Sequence, residues 1–233
     1  MALYVDHISQ PSRAVMLFTQ LSKLPTKTIL VRIARGETRT AEFQFLNPLQ
    51  QVPVFKDDDG FRVWDSAAIF RYLGAKLPVS DANSAWLGFA NSSPRTAAAV
   101  DEALAFYSST LRPAAAPFVF GKVLGPLGGL PVKQSIVEAA EAKLPRTLKQ
   151  LNGFLAESDA PSVADLAIAC ELEQLLVLPE AIDMLEAYPE IVRYMQRMRA
   201  GFDGWDDGKE SHWSDVHRLL YKVVEKVQKR PAQ

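Results

Sequence analysis

Residues 47–73, NPLQQVPVFKDDDGFRVWDSAAIFRYL, constrain the fold more than any other stretch of this chain. Val52-Pro53-Val54-Phe55 opens a strand, and Asp57 to Gly60 is an acidic, glycine-ended turn. Phe61 to Trp64 is the returning strand, and Asp65-Ser66 begins a helix running to Lys76. A hairpin with a helix directly behind it has one apolar face to cover and needs further strands beside it. The same stretch points to chemistry. A helix start offers unpaired N–H groups and partial positive charge. There Ser66 can take a carboxylate and Asp65 an ammonium, the two ends of an amino-acid-like group. Val52 before a proline leaves extended backbone able to pair with a peptide. The alternative for Asp65-Ser66 is a plain helix cap, the commonest use of these residues at such places.

The preceding sequence supplies the missing strands. Residues 2–6 (ALYVD) read as a strand, and Pro11 sits where a first helical turn tolerates proline. Val15, Phe18 and Leu21 fall on one helical face. Thr28 to Ile33 is β-branched and alternating, a second strand, and residues 40–46 form a short helix ending before Asn47-Pro48. The order is βαβ-α-ββα: an α+β domain with a four-stranded mixed sheet, its parallel pair joined by a right-handed crossover. Beyond Trp86 the pattern is helical almost throughout, broken by GPLGGLP at 125–131. The expected organisation is residues 1–78 as the mixed domain, 79–85 as linker and 86–233 as an all-helical domain. Within the latter, Ser162-Val163-Ala164-Asp165 has the form of a capping box, Pro161 fixing the entry.

Composition narrows the function. Lys plus Arg is 26 against 27 Asp plus Glu, which argues against a nucleic-acid binder with a broad basic face. One cysteine, Cys170, excludes an intrachain disulfide and fits a reducing compartment. Its apolar helical run (ADLAIACELEQLL) reads as buried and inert. His7, His212 and His217 are too scattered for a metal site. MALYVDHISQ has no basic segment followed by a long apolar stretch, so no secretory leader is expected, and no apolar run approaches the ~18 residues a spanning helix needs. A cytoplasmic location, with no membrane and no metal, is the expectation.

Several motifs, in this order, resemble soluble glutathione transferases of the theta class. They are SQPSRAV (Ser9 to Val15), NPLQQVP (Asn47 to Pro53), WDSAAIFRYL (Trp64 to Leu73), STLRPAA (Ser109 to Ala115) and PSVADLAIACELEQL (Pro161 to Leu175), with HWSDVHRLLYKV (His212 to Val223) late in the chain. VLGPLGGLP (Val123 to Pro131) and CELEQL are similar to the plant-type members. The resemblance implies a thioredoxin-like first domain, an all-α second domain, glutathione as co-substrate and a homodimer. It implies conjugation of glutathione to a hydrophobic electrophile, and reduction of organic hydroperoxides. It makes Ser9 the catalytic residue. A free thiol has a pKa of roughly 8.5, and a hydroxyl donor at a helix N-terminus favours its thiolate. Ser9 is also suited to capping that helix, Ser12 is its rival one turn in, and Arg13 either adds positive potential or faces solvent.

The same resemblance assigns Val52 to pair with the cysteinyl unit, Pro53 to be cis, and Asp65 and Ser66 to hold the γ-glutamyl group. Asp101 matches a carboxylate that reaches across the dimer to the ligand's ammonium. Thr38 stands where many relatives have His and Gln51 where Lys is common. Arg39 is then the candidate for the glycyl carboxylate, or a solvated loop charge. Residues 149–156 (KQLNGFLA) are shorter than the usual loop. Phe106, Tyr107, Leu111 and Phe118 line an electrophile pocket between the domains or simply form core, and Tyr4 belongs to the sheet core. The alternative function is a non-catalytic interaction module of the same fold. A thiol reductase is set aside, because it needs a cysteine near the first helix.

Overall fold

The computed structural model describes residues 1–77, 93–157 and 162–203. The expected linker at 79–85, Pro161 and the histidine-bearing segment at 212–223 lie outside the described residues. The chain divides into two compact units: Met1–Leu104 with Pro161–Cys170, and Ala105–Ala160 with Glu171–Gln233.

In the first unit, strands β1 (Ala2–Val5), β2 (Lys27–Leu30), β3 (Val54–Lys56) and β4 (Arg62–Trp64) form one sheet in the order β2-β1-β3-β4. β1 runs parallel to β2 and antiparallel to β3, and β3 is antiparallel to β4. Helices α1 (Gln10–Leu21), α2 (Ala41–Leu46) and α3 (Ser66–Gly74) complete the βαβ-α-ββα order of a thioredoxin-like domain. Leu3, Val5, Val15, Phe18, Val54, Phe55, Ile69, Phe70 and Leu73 are fully buried, with the Phe18 and Phe70 rings of α1 and α3 5.6 Å apart. Tyr4 packs against a satellite cluster of Val31, Phe43, Val52 and Val54.

Each helix start is set locally. Ser9 caps α1 with Oγ accepting from Ser12 N–H at 3.3 Å, Thr40 caps α2, and Asp65 caps α3 by accepting from Ala67 N–H at 2.9 Å. The strands are shorter than alternation predicts. β2 stops at Leu30 rather than Ile33: Val31 N–H makes the last bond to β1, to the Val5 carbonyl, and Ile33 N–H then turns to the Asp6 carboxylate. A 3-10 turn at Ile33–Arg35 comes next. β1 stops at Val5 and β3 begins at Val54, two residues after Val52.

The second part of the chain is helical: α4 (Pro94–Phe106), α5 (Arg112–Val119), α6 (Gly125–Gly128), α7 (Gln134–Ala156), α8 (Val163–Leu175), α9 (Pro179–Glu186) and α10 (Pro189–Asp203). Among the described residues no helix is long and apolar enough to cross a membrane. π-helical turns at Tyr107–Leu111 and Phe120–Leu124 join α4, α5 and α6. The first has a structural consequence. Residues five apart sit about 140° apart around an α-helix, whereas a π-turn makes them neighbours. Tyr107 and Arg112 thus both reach the same oxygen of the buried Glu171, at 3.4 and 2.9 Å. Ser162 and Asp165 form the expected box. Asp165 accepts from Ser162 N–H at 2.5 Å, and the Ser162 hydroxyl accepts from Ala164 N–H.

Candidate functional site

Sheet register brings the candidate segments to one end of the first unit. Tyr4 of β1 pairs with Ile29 of β2 and Val54 of β3, and Val54 pairs with Trp64 of β4. The exits of β1, β2 and β4 and the entry of β3 therefore share one sheet end. The β1 exit leads to Ser9, the β2 exit to Thr38 and Arg39, and the β4 exit to Asp65-Ser66. Val52-Pro53 leads into β3. Residues separated by more than fifty positions are thereby collected by strand pairing alone.

Ser9 keeps 7% exposure, whereas Ser12 has none and spends its oxygen accepting from Asp6 N–H. A serine hydroxyl offers one donor and two acceptor sites. Ser9 uses an acceptor site for the cap, and among the described residues nothing takes its hydroxyl proton. Capping and donation to a bound sulfur are therefore compatible.

Arg13 does not face solvent. It is fully buried and donates to the His7 carbonyl at 3.0 Å and to the Cys170 carbonyl at 3.1 Å. The solvent-facing alternative falls because these two carbonyls lie inside the unit, where the guanidinium fork reaches both. Cys170 is buried and takes part in no intrachain disulfide, as its apolar run and its being the single cysteine suggest. Burial holds the His7 imidazole below its usual pKa, against the pull of Asp6 and with the help of Arg13.

The Val52–Pro53 peptide is cis. Val52 lies outside the sheet ladder, so its backbone is not committed to a neighbouring strand. Asp65 has φ +71°, a conformation that costs a non-glycine residue about 1–3 kcal/mol. That backbone turn exposes the Asp65 side chain, while Ser66, the first residue of α3, is buried. Gln51 is exposed and its carbonyl accepts from the Asn47 amide at 2.7 Å. Thr38 is buried and Arg39 exposed, in a 3-10 turn at Glu37–Arg39 entered through Gly36 at φ +73°. Asp101 forms an ion pair with Arg71 of the same chain. Tyr107, Leu111 and Phe118 are buried in the second unit, and Phe106 stacks on Phe154 with centroids 5.6 Å apart.

Asp6 is not among the residues the sequence singles out. Its carboxylate accepts from Ile8 N–H at 3.1 Å and from Ile33 N–H at 2.8 Å. The first bond is an Asx turn, for which an Asp between a strand and a helix start is a readable signal. The second crosses to another strand's exit, and no local pattern announces it.

Comparison with known proteins agrees with this architecture. Family models of the glutathione S-transferase N-terminal and C-terminal domains match residues 8–76 and 97–201. The chain is 31% identical to glutathione S-transferase T1 of Arabidopsis thaliana, across 98% of this chain and 92% of that protein. It is 32% identical to human glutathione S-transferase theta-1 across 95% and 89%. Human glutathione transferase theta-2, solved as a complex with glutathione, superposes with TM-score 0.81 at 25% identity, over 100% of this chain and 92% of that one. A human theta-class structure holding the glutathione conjugate of 1-menaphthyl sulfate gives TM-score 0.81 at 26% identity, over 98% and 90%. A thioredoxin-like sheet followed by an all-helical segment, with the candidate loops gathered at one sheet end, defines the class. The chain belongs to the glutathione S-transferase family, within its theta class.

Proposed function

We propose that the protein conjugates glutathione to hydrophobic electrophiles and reduces organic hydroperoxides in the same site, with the Ser9 hydroxyl as thiolate donor. The observation that carries this reading is Ser9 itself, a cap whose hydroxyl proton is left uncommitted at the sheet end where Val52-Pro53 and Asp65-Ser66 also converge. The Ser9 O–H donates to the glutathione sulfur, and the α1 N-terminus adds its partial positive charge. The thiolate attacks an electrophilic carbon, forming the S–C bond as the leaving group departs. With a hydroperoxide it attacks the terminal oxygen. The O–O bond breaks, the alkoxide takes a proton, and a second glutathione displaces water from the resulting sulfenic acid to give the disulfide.

Val52 supplies backbone pairing to the cysteinyl unit, with cis-Pro53 setting its direction. Asp65 takes the γ-glutamyl ammonium, and Ser66 with the α3 N–H groups takes its carboxylate. Arg39, with Gln51 beside the site, takes the glycyl carboxylate. Asp101 adds a second carboxylate for the ammonium in a homodimer. Exposed Phe45 and Leu49, at 74% and 63%, supply apolar surface for such pairing. No metal enters, and the location we assign is the cytoplasm.

The test is turnover by the purified protein with glutathione and chlorodinitrobenzene, then with cumene hydroperoxide. Glutathione-dependent product in either assay supports the enzyme. Glutathione binding without turnover across a panel of electrophiles and hydroperoxides refutes it and favours an interaction module.

A further inference from the structure

We propose that Asp6 is a positioning residue tying the Ser9 loop to the segment that carries Arg39, so that thiol activation and the hold on the ligand's far carboxylate are set together. This rests on the function proposed above.

Four hydrogen bonds radiate from Asp6. Its N–H donates to Ser12 Oγ at 3.4 Å, and its carbonyl accepts from Ser9 N–H at 3.0 Å, closing the turn that presents Ser9. One carboxylate oxygen accepts from Ile8 N–H inside that turn; the other accepts from Ile33 N–H, 27 residues along the chain. Arg13 pins the same turn from the interior through the His7 carbonyl.

The far segment is closed on itself, so fixing Ile33 also fixes the chain as far as Arg39. Glu37 N–H donates to the Arg32 carbonyl at 3.3 Å, and the Glu37 carboxylate accepts from Arg32 N–H at 2.7 Å. Arg39 N–H donates to the Gly36 carbonyl at 2.9 Å. Only a carboxylate presents acceptors in both directions. An Asn here keeps the Asx turn but turns an amide N–H toward Ile33 N–H. The two duties are therefore separable by substitution.

The experiment uses the full chain with Asp6→Asn, Asp6→Ala and, as a structural control, Asp57→Asn. Asp57 sits at the β3–β4 turn and touches neither loop. Amide hydrogen exchange is read on the free proteins. Glutathione KM, and the pKa of the bound thiol from thiolate absorbance, are read on the complexes. Asp6→Asn should lose protection at Ile33 and raise glutathione KM about tenfold, the effect of one lost charge-assisted hydrogen bond. Its bound-thiol pKa and Ile8 protection should match wild type. Asp6→Ala should lose both protections and also raise the bound-thiol pKa by about one unit. Unchanged exchange over Ile33–Arg39 with unchanged KM in Asp6→Asn overturns the proposal. So does an Asp6→Ala variant that, like Asp57→Asn, changes melting temperature alone. A wild type that neither binds nor turns over glutathione sinks the function reading instead, while the exchange data still decide the tie.

Discussion

Replacing Ser9 by alanine and by glycine separates its two duties, because the two substitutions differ as caps and are identical as hydroxyl deletions. Ser9 Oγ accepts from Ser12 N–H at 3.3 Å. Losing that bond to alanine costs about 0.5–2 kcal/mol of stability, whereas glycine at an N-cap costs only a few tenths. For a chain of this size each kcal/mol moves the melting temperature by about 2–4 °C. A hydroxyl–thiolate hydrogen bond belongs to the charge-assisted class, worth about 1.5–3 kcal/mol, or about one to two pKa units on the bound thiol. Ser9→Ala should therefore melt below wild type and Ser9→Gly near it. Both should raise the bound-thiol pKa equally and lower kcat at neutral pH about tenfold or more. The assay pairs scanning calorimetry with thiolate absorbance and single-substrate kinetics. If Ser9→Gly recovers wild-type turnover while Ser9→Ala does not, the hydroxyl acts only as a cap and the donor role is refuted.

Three further effects arise from particular contacts. Lys76, Tyr72 and the Asp58 N–H hold the Asp57 carboxyl at about 2, below its ordinary 3.8. A depressed pKa stabilises above about pH 4 and loses that contribution as pH falls toward 2. Solvent screening limits the contribution to about 1 kcal/mol. Acid unfolding tracked from pH 5 to about pH 2 should show a shallower slope for Asp57→Asn, and equal slopes would exclude the linkage. Asp165→Ala removes both of its bonds from Ser162 and should destabilise the protein by about 1–2 kcal/mol in urea titration, with an unchanged m-value. A Cβ on Gly121 would lie 2.1 Å from Val137 Cγ2, so Gly121→Ala should cost about 1–3 kcal/mol by overpacking. Adding Val137→Ala should restore part of that loss, and a double-mutant cycle with additive losses would show that the two residues do not meet.

The features legible in the sequence are those with local causes. Ser9 with Pro11, Asp65 before Ser66, and Ser162 three residues before Asp165 announce helix starts, because a cap acts within one turn. Short runs of β-branched and aromatic residues in ALYV and VFK, bounded by polar residues, proline and an acidic turn, announce strands because such side chains suit a pleated, half-buried surface. The two π-turns have no such signature. The sequence through Tyr107–Leu111 is ordinary helix, and what favours the extra residue per turn is a shared partner, Glu171, sixty-four positions from Tyr107. Likewise alternation carries Thr28 to Ile33 as strand, but Asp6 claims Ile33 N–H and ends the ladder early.

By itself the sequence determined the element order, the caps and the apolar faces, since each is a competition among neighbours along the chain. It also carried the residues of the site as separate motifs. The tertiary structure alone decided which of them meet. Strand order β2-β1-β3-β4 places four distant segments at one sheet end. Packing against distant helical sequence also turns Arg13, a residue that reads equally well as a surface charge, into a fully buried clamp on the carbonyls of His7 and Cys170. The physical reason is the same in each case. A buried polar group must find its partner wherever the fold provides one, and for these groups that partner lies on another element of the chain.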